Sequence, residues 1–153
     1  LFGINNGTSR SNNVQLAIYD EVEQFAAEKF GSAAAIITSS GYLAAQLQFI
    51  KERYARVHLL VGMLKDKDIQ HSLAPFHQLA DHWHLVDLPG ARGAQASMLV
   101  EQLPAQSSYS CYSDLESGYQ QALLSMQAND LLVIFGSFVT VSAVLALQKE
   151  TDV

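Results

Sequence analysis

Apolar residues in this chain form two alternating patterns, short continuous runs and longer segments with helical spacing. The continuous runs predict strands at residues 33–38, 57–62, 84–88 and 131–135, and residues 109–112 form a weaker candidate strand. The segments with helical spacing predict helices at residues 14–30, 41–54, 69–80, 95–103, 113–127 and 136–149. Strands that alternate with helices along a chain build a mostly parallel sheet. The pattern therefore predicts an α/β fold, a Rossmann-like three-layer sandwich with about five or six strands and helices on both faces.

Composition narrows the class of protein. Hydrophobic residues make up 49% of the 153 positions and charged residues 16%, which excludes a disordered chain. A net charge of −6 argues against a nucleic-acid partner, because such a surface needs clustered Lys and Arg. The single cysteine, Cys111, fits a reducing compartment. With no visible signal peptide or membrane-spanning run, we expect a cytoplasmic protein without a membrane partner.

Four alternating charges follow the second predicted strand, at Lys65, Asp66, Lys67 and Asp68. In parallel sheets, ligands gather where strands end and helices begin, and a helix N-terminus favours anions. The turn could therefore handle a charged substrate. The alternative is a solvated loop in which Asp68 caps the next helix.

The last predicted strand ends at Gly136, and Ser137 follows it at a helix start. Gly136 permits close backbone approach. Ser137 can either cap the helix or hold a ligand carboxylate.

Three stretches occur in an order that resembles a known family: Gly62-Met-Leu-Lys-Asp-Lys-Asp68, Leu88-Pro-Gly-Ala-Arg-Gly-Ala94 and Gly136-Ser-Phe-Val-Thr-Val141. From about residue 42 to the end, the chain resembles the carboxyl-terminal domain of dihydrofolate synthase/folylpolyglutamate synthase, in the Mur ligase superfamily. The resemblance implies ATP and Mg as cofactors, and folate or dihydropteroate and glutamate as substrates. The family joins the two through an acyl phosphate.

The resemblance also implies roles for individual residues. Lys67 would be a catalytic cation near the acyl phosphate and the incoming glutamate, oriented by Asp66. Ser137 would lie near the glutamate pocket. Arg92 would steer an anionic substrate, or would be a loop arginine held by Asp87.

Two parts of the family's machinery are missing from the sequence. Where the family's first strand in this domain ends in an Asp-x-Ala-His-Asn-Pro motif, this chain has Ile36-Ile-Thr-Ser-Ser-Gly-Tyr42. The family's amino-terminal ATPase domain, with its lysine-bearing phosphate loop, is also missing and would have to come from a partner domain. We therefore expect the isolated chain to be inactive in ligation.

Residues 1–47 resemble the amino-terminal region of fold-type I pyridoxal-phosphate enzymes, such as the α-oxoamine synthases. In that family a Ser-Gly-aromatic turn binds the cofactor phosphate, and Ser40, Gly41 and Tyr42 match it. The Schiff-base lysine and the groups that face the ring have no counterpart, so no tightly bound cofactor is expected. The expected organisation is a pyridoxal-phosphate-like part (residues 1–47) and a ligase-like part (residues 42–153) in one compact domain. Three hypotheses follow: an incomplete ligase, a pyridoxal-phosphate enzyme fragment, and an inert chimeric domain.

Histidines raise the question of a metal site. His82 and His84 would share one face of a strand, which would allow a zinc pair. No third ligand with suitable spacing is evident in the sequence, so none of the candidate residues is assigned to a metal.

Overall fold

The computed structural model describes residues 34–37, 44, 45, 47–49 and 51–151. The predicted helix at residues 14–30 and the turn Ser40–Tyr42 lie outside these residues. Five strands are present in the described part: β1 Ala34–Ile37, β2 Arg56–Gly62, β3 His82–Val86, β4 Tyr109–Tyr112 and β5 Asp130–Gly136.

The five strands form one sheet in the order β1-β5-β2-β3-β4, and every neighbouring pair is parallel. This confirms the predicted parallel α/β sheet. β2 lies at the centre, and its residues from Val57 to Gly62 are all buried. A strand buried on both faces reads as a continuous apolar run, which is why the sequence pattern located it.

The predicted third strand is displaced by two residues. β3 begins at His82 because His82 and Trp83 pair with His58 and Leu59 of β2. The predicted end, Leu88, instead belongs to a loop that turns back on itself, where the Leu88 N–H donates to the Ala94 carbonyl at 3.1 Å.

Helices follow four of the strands in the described residues: α1 Ile69–Leu73, α2 Ala96–Val100, α3 Leu115–Ser125 and α4 Phe138–Thr151. The predicted helix at 69–80 is shorter than expected, since a 3-10 turn at Ala74–Phe76 containing Pro75 replaces its second half. Asp68 caps α1 by accepting from the His71 N–H, as predicted. Asp114 caps α3 by accepting from the Ser117 N–H at 2.8 Å.

Helical segments cover both faces of the sheet. On one face, the Phe76 ring stacks on Phe135 of β5 with centroids 4.4 Å apart. On the other, α3 approaches through Gly118, where an added Cβ would lie 2.4 Å from Val86. The predicted three-layer arrangement is confirmed. Within the described residues, no helix combines the length and apolar character that crossing a membrane requires.

Candidate functional site

The ends of the two central strands are adjacent, because Gly62 of β2 is paired in register with Gly136 of β5. The strands are parallel, so the segments that follow them leave the sheet at the same edge. Lys67 follows β2 and Ser137 follows β5. The two residues therefore follow strands that end at one edge of the sheet.

The Gly62 carbonyl joins these two strand ends. It accepts hydrogen bonds from the Ser137 N–H at 3.0 Å and from the Thr140 Oγ1 hydroxyl at 2.8 Å. Gly136 has φ +132°, and a Cβ there would lie 2.0 Å from the Gly62 oxygen. Only glycine permits this close approach of the two backbones.

Ser137 is buried, with 4% of its surface exposed. Its Oγ accepts from the Thr140 N–H at 3.2 Å and lies 3.2 Å from Thr140 Oγ1. Of the two roles open to Ser137 from sequence, helix capping is therefore the one visible in the fold. This contact places the first turn of α4, with its positive dipole end, at the edge of the site.

The second motif of the resemblance packs directly against the charged turn. Leu64 and Gly93 form an antiparallel bridge. On either side of it, the Ala94 N–H donates to the Met63 carbonyl at 2.9 Å and the Lys65 N–H donates to the Arg92 carbonyl at 2.7 Å. Residues 63–68 and 88–94 therefore form one paired unit, the double loop.

Arg92 and Asp66 form an ion pair across the double loop. Arg92 Nη2 lies 2.6 Å and Nε 3.2 Å from Asp66 Oδ2. The hydrogen bond from the Arg92 guanidinium lowers the pKa of Asp66, and the charges of Arg92 and Lys67 lower it further. Asp66 was expected to orient Lys67, whereas its hydrogen bonds go to Arg92.

The alternative prediction, that Asp87 holds Arg92, was wrong. Asp87 Oδ1 accepts from the Ala96 N–H at 2.6 Å and so supports the start of α2. The reason is geometric: the loop after β3 folds back onto the turn after β2, which carries Arg92 toward Asp66.

Two cations remain available on the double loop. Lys65 and Lys67 are exposed, and neither forms an ion pair with another described residue. The carboxylate of Asp68 is already engaged, since it binds the backbone and the ring of His71. The double loop thus presents positive charge at an edge of an otherwise acidic protein.

The third candidate turn, Ser40–Gly41–Tyr42, lies outside the described residues. β1 ends at Ile37, which is paired with Ile134 of the neighbouring parallel strand. The end of β1 therefore lies at the same edge of the sheet as the double loop and Ser137.

Sequence reasoning missed Thr140 as a member of this edge. Thr140 is fully buried and its hydroxyl bonds the end of β2, which is distant in sequence. The available signal was a Thr three positions after a capping Ser, at the start of an apolar helix. Among the described residues, no group of three or more His, Cys, Asp or Glu is placed to bind a metal.

Comparison with known proteins identifies the family. The profile described as "Mur ligase, glutamate ligase domain" matches residues 31–138. The dihydrofolate synthase/folylpolyglutamate synthase of Escherichia coli strain K12 is 33% identical over 104 residues, which cover 68% of this chain and 24% of that protein. The chain thus spans about a quarter of the length of this curated relative.

Solved structures agree with the sequence comparisons. A structure titled "E.coli FolC in complex with DHPP and ADP" superposes with a TM-score of 0.72 at 27% identity, covering 78% of this chain and 30% of that one. A bifunctional folylpolyglutamate synthase/dihydrofolate synthase "with Mn, AMPPNP and L-Glutamate bound" gives a TM-score of 0.65 at 30% identity, covering 76% and 29%.

The pyridoxal-phosphate hypothesis gains no support from these comparisons. The family match begins at residue 31, so β1 and the turn at Ser40–Tyr42 fall within its range. The boundary expected at residues 42–47 is thus not where the ligase match starts. With the family profile over most of its length and the same fold as the solved ligases, the chain belongs to the Mur ligase glutamate ligase domain family and matches the carboxyl-terminal domain of dihydrofolate synthase/folylpolyglutamate synthase.

Proposed function

We propose that this chain supplies the glutamate-binding half of an ATP-dependent dihydrofolate synthase/folylpolyglutamate synthase and works together with an ATPase domain. The observation that carries the proposal is the assembly of all three motifs at one edge of the sheet. The double loop joins two of them, and the Gly62–Gly136 junction brings in the third. A relative solved with L-glutamate, AMPPNP and Mn supports the substrate assignment.

In the proposed reaction, the amine of glutamate attacks the carbonyl carbon of a folate or pteroate acyl phosphate. A C–N bond forms, the phosphate leaves with the electron pair of the broken C–O bond, and the amine nitrogen releases one proton to solvent. Negative charge grows on that phosphate as the bond breaks, so a nearby cation stabilises the transition state. Lys67 is assigned this role, because its ammonium forms no ion pair with a described carboxylate.

The remaining residues position the substrate and the cation. The Arg92–Asp66 pair holds the double loop in one conformation, and an anionic substrate would compete with Asp66 for the guanidinium. Ser137 orders the first turn of α4, whose N–H groups would face the glutamate carboxylate. Ser40, Gly41 and Tyr42 are proposed as a further anion-binding turn at the same edge.

ATP and Mg would be bound outside the described residues. The described part of the chain has no set of three metal ligands and no lysine-bearing phosphate loop. The nucleotide and its metal would supply the acyl phosphate from the ATPase domain. No step assigned to this chain passes through the metal.

Ligand-observed NMR tests the proposed substrate class. Saturation-transfer experiments on the 153-residue chain would use L-glutamate, folate, ATP and pyridoxal phosphate as separate probes. We expect transfer to L-glutamate with a dissociation constant on the order of millimolar, because the edge is open and offers few hydrogen bonds. Glycine is the matched control, since it lacks the side-chain carboxylate.

The probes separate the hypotheses. Transfer to pyridoxal phosphate without transfer to L-glutamate would refute the ligase assignment. Equal transfer to L-glutamate and glycine would show that the edge does not recognise the second carboxylate, which also contradicts the proposal.

A further inference from the structure

Four polar side chains cross the sheet in one hydrogen-bonded line, which runs from Asp130 at the start of β5 to Tyr112 at the end of β4. His84 Nδ1 lies 2.9 Å from the Tyr112 hydroxyl, and His84 Nε2 lies 3.1 Å from His58 Nδ1. His58 Nε2 lies 3.2 Å from Asp130 Oδ2. These four residues, here called the histidine chain, connect β4, β3, β2 and β5.

The core of the histidine chain is withdrawn from water. His58, His84 and Asp130 each expose 1% of their surface. A buried polar group without a hydrogen-bond partner is costly, so each ring nitrogen needs a partner within the histidine chain. The geometry provides one partner for every ring nitrogen of the pair.

The partners fix the direction of each hydrogen bond. Asp130 Oδ2 already accepts the Gln127 N–H at 2.9 Å and acts as an acceptor, so His58 donates through Nε2–H. His58 Nδ1 then accepts from His84 Nε2–H, and His84 Nδ1 accepts from the Tyr112 O–H. All donors and acceptors match when both imidazoles are neutral.

Added protons disturb this arrangement in two steps. A first proton on His58 requires His84 to change tautomer and the Tyr112 hydroxyl to turn from donor to acceptor. A second proton places two N–H donors opposite each other across the 3.1 Å contact. The fold therefore has no satisfied state with two charged imidazoles.

We propose that the histidine chain is an acid-sensitive lock. It holds the four strands β2, β3, β4 and β5 together while both imidazoles are neutral, and it destabilises the fold when they are protonated. The lock would act on the stability of the sheet whether or not a ligand is bound at the double loop.

The charged and titratable groups around the pair are few in the described residues. The charges of Asp130 and Asp81 raise the pKa of His58, and the charge of Arg56 lowers it. The charges of His82 and His58 lower the pKa of His84. His82 bonds Ser108 and Ser110. From the covering helix α3, Gly118 packs against this face while its acidic residue Glu116 is exposed.

Burial is the main cause of the altered pKa values. It lowers the pKa of His84 to about 3, with further lowering from the nearby His82 and His58. Burial also lowers the pKa of His58, although the hydrogen bond and charge of Asp130 act in the opposite direction. In the unfolded chain both residues would titrate near their ordinary value of about 6.5.

The sign of the pH dependence follows from proton binding. Below pH 6.5 the unfolded chain binds more protons than the fold, so stability is full above that pH and is lost as the pH falls through it. Between pH 7 and pH 5, His84 alone would raise the unfolding equilibrium constant about 25-fold. The lowered pKa of His58 acts in the same direction.

Urea denaturation of the full chain at pH 7 and pH 5 tests the lock with one variant and one control. His84→Gln keeps a donor and an acceptor but cannot be charged. The rise in its unfolding equilibrium constant between pH 7 and pH 5 should therefore be about 25-fold smaller than in the unsubstituted chain. His71→Gln is the control, because His71 is exposed and its side chain lies outside the histidine chain. It should keep the wild-type loss. An unchanged loss in His84→Gln would overturn the proposal.

Imidazole ¹⁵N NMR of the unsubstituted chain gives a second test that does not depend on how the variant folds. We expect both His58 and His84 to carry their proton on Nε2 at pH 7, and His84 to remain neutral at pH 5. Either histidine with its proton on Nδ1 at pH 7, or His84 charged in the folded protein at pH 5, would refute the lock.

Discussion

Gly136→Ala is expected to lower the free energy of unfolding by about 3–5 kcal/mol, combining backbone strain with overpacking. The added Cβ would lie 2.0 Å from the Gly62 carbonyl oxygen, far inside contact distance, and the φ of +132° is unfavourable for alanine. The oxygen cannot move away without losing its hydrogen bonds from Ser137 and Thr140. Urea denaturation measures the loss.

Gly90→Ala separates the two causes. Gly90 also has a positive φ, +91°, but nothing lies within 4 Å of an added Cβ. Its substitution should cost only the backbone strain, about 1–2 kcal/mol. If Gly136→Ala were no more destabilising than Gly90→Ala, the tight junction between the ends of β2 and β5 would not exist in solution.

Lys67→Ala is expected to raise the dissociation constant for L-glutamate and for inorganic phosphate about fivefold, as for loss of one exposed charged contact. The ammonium lies on the double loop and forms no ion pair with a described carboxylate, so it can approach a bound anion. Titration of the saturation-transfer signal with each ligand gives the two constants.

Lys51→Ala is the matched control for this substitution. It removes the same charge from a half-buried lysine that precedes β2 and therefore lies at the opposite edge of the sheet. There its Nζ donates to the Gln78 carbonyl at 3.2 Å. Binding should be unchanged in this variant. Equal weakening in both variants would indicate a general effect of net charge and would contradict the role proposed for Lys67.

The sheet was predictable because its central strands are buried on both faces and read as apolar runs. The edge of the site was predictable for a related reason: in a parallel sheet, whatever follows a strand lies at its carboxyl end. Lys67 and Ser137 were placed together by that rule alone. Helix capping by Asp68 and Asp114 was predictable for a local reason, because each side chain binds the N–H of a residue three positions later.

Contacts between distant segments were not predictable. The Arg92–Asp66 pair depends on the loop after β3 folding back onto the turn after β2, which no local pattern specifies. The histidine chain joins His58 to Asp130 across 72 positions, and His58 itself is hidden in the apolar run of β2. The resemblance of residues 1–47 to pyridoxal-phosphate enzymes rested on short motifs, and no comparison supports it.

The most direct test of the central claim, a single anion site formed by the double loop and the start of α4, is a phosphate titration followed by backbone amide shifts. We expect the amides of Lys67 and Ser137 to shift together, with one dissociation constant on the order of millimolar, and the amide of Gly41 to shift with them. These amides come from segments after three different strands, so a shared constant would show one site. If they stay still at tens of millimolar phosphate, or titrate with unrelated constants, the shared site does not exist.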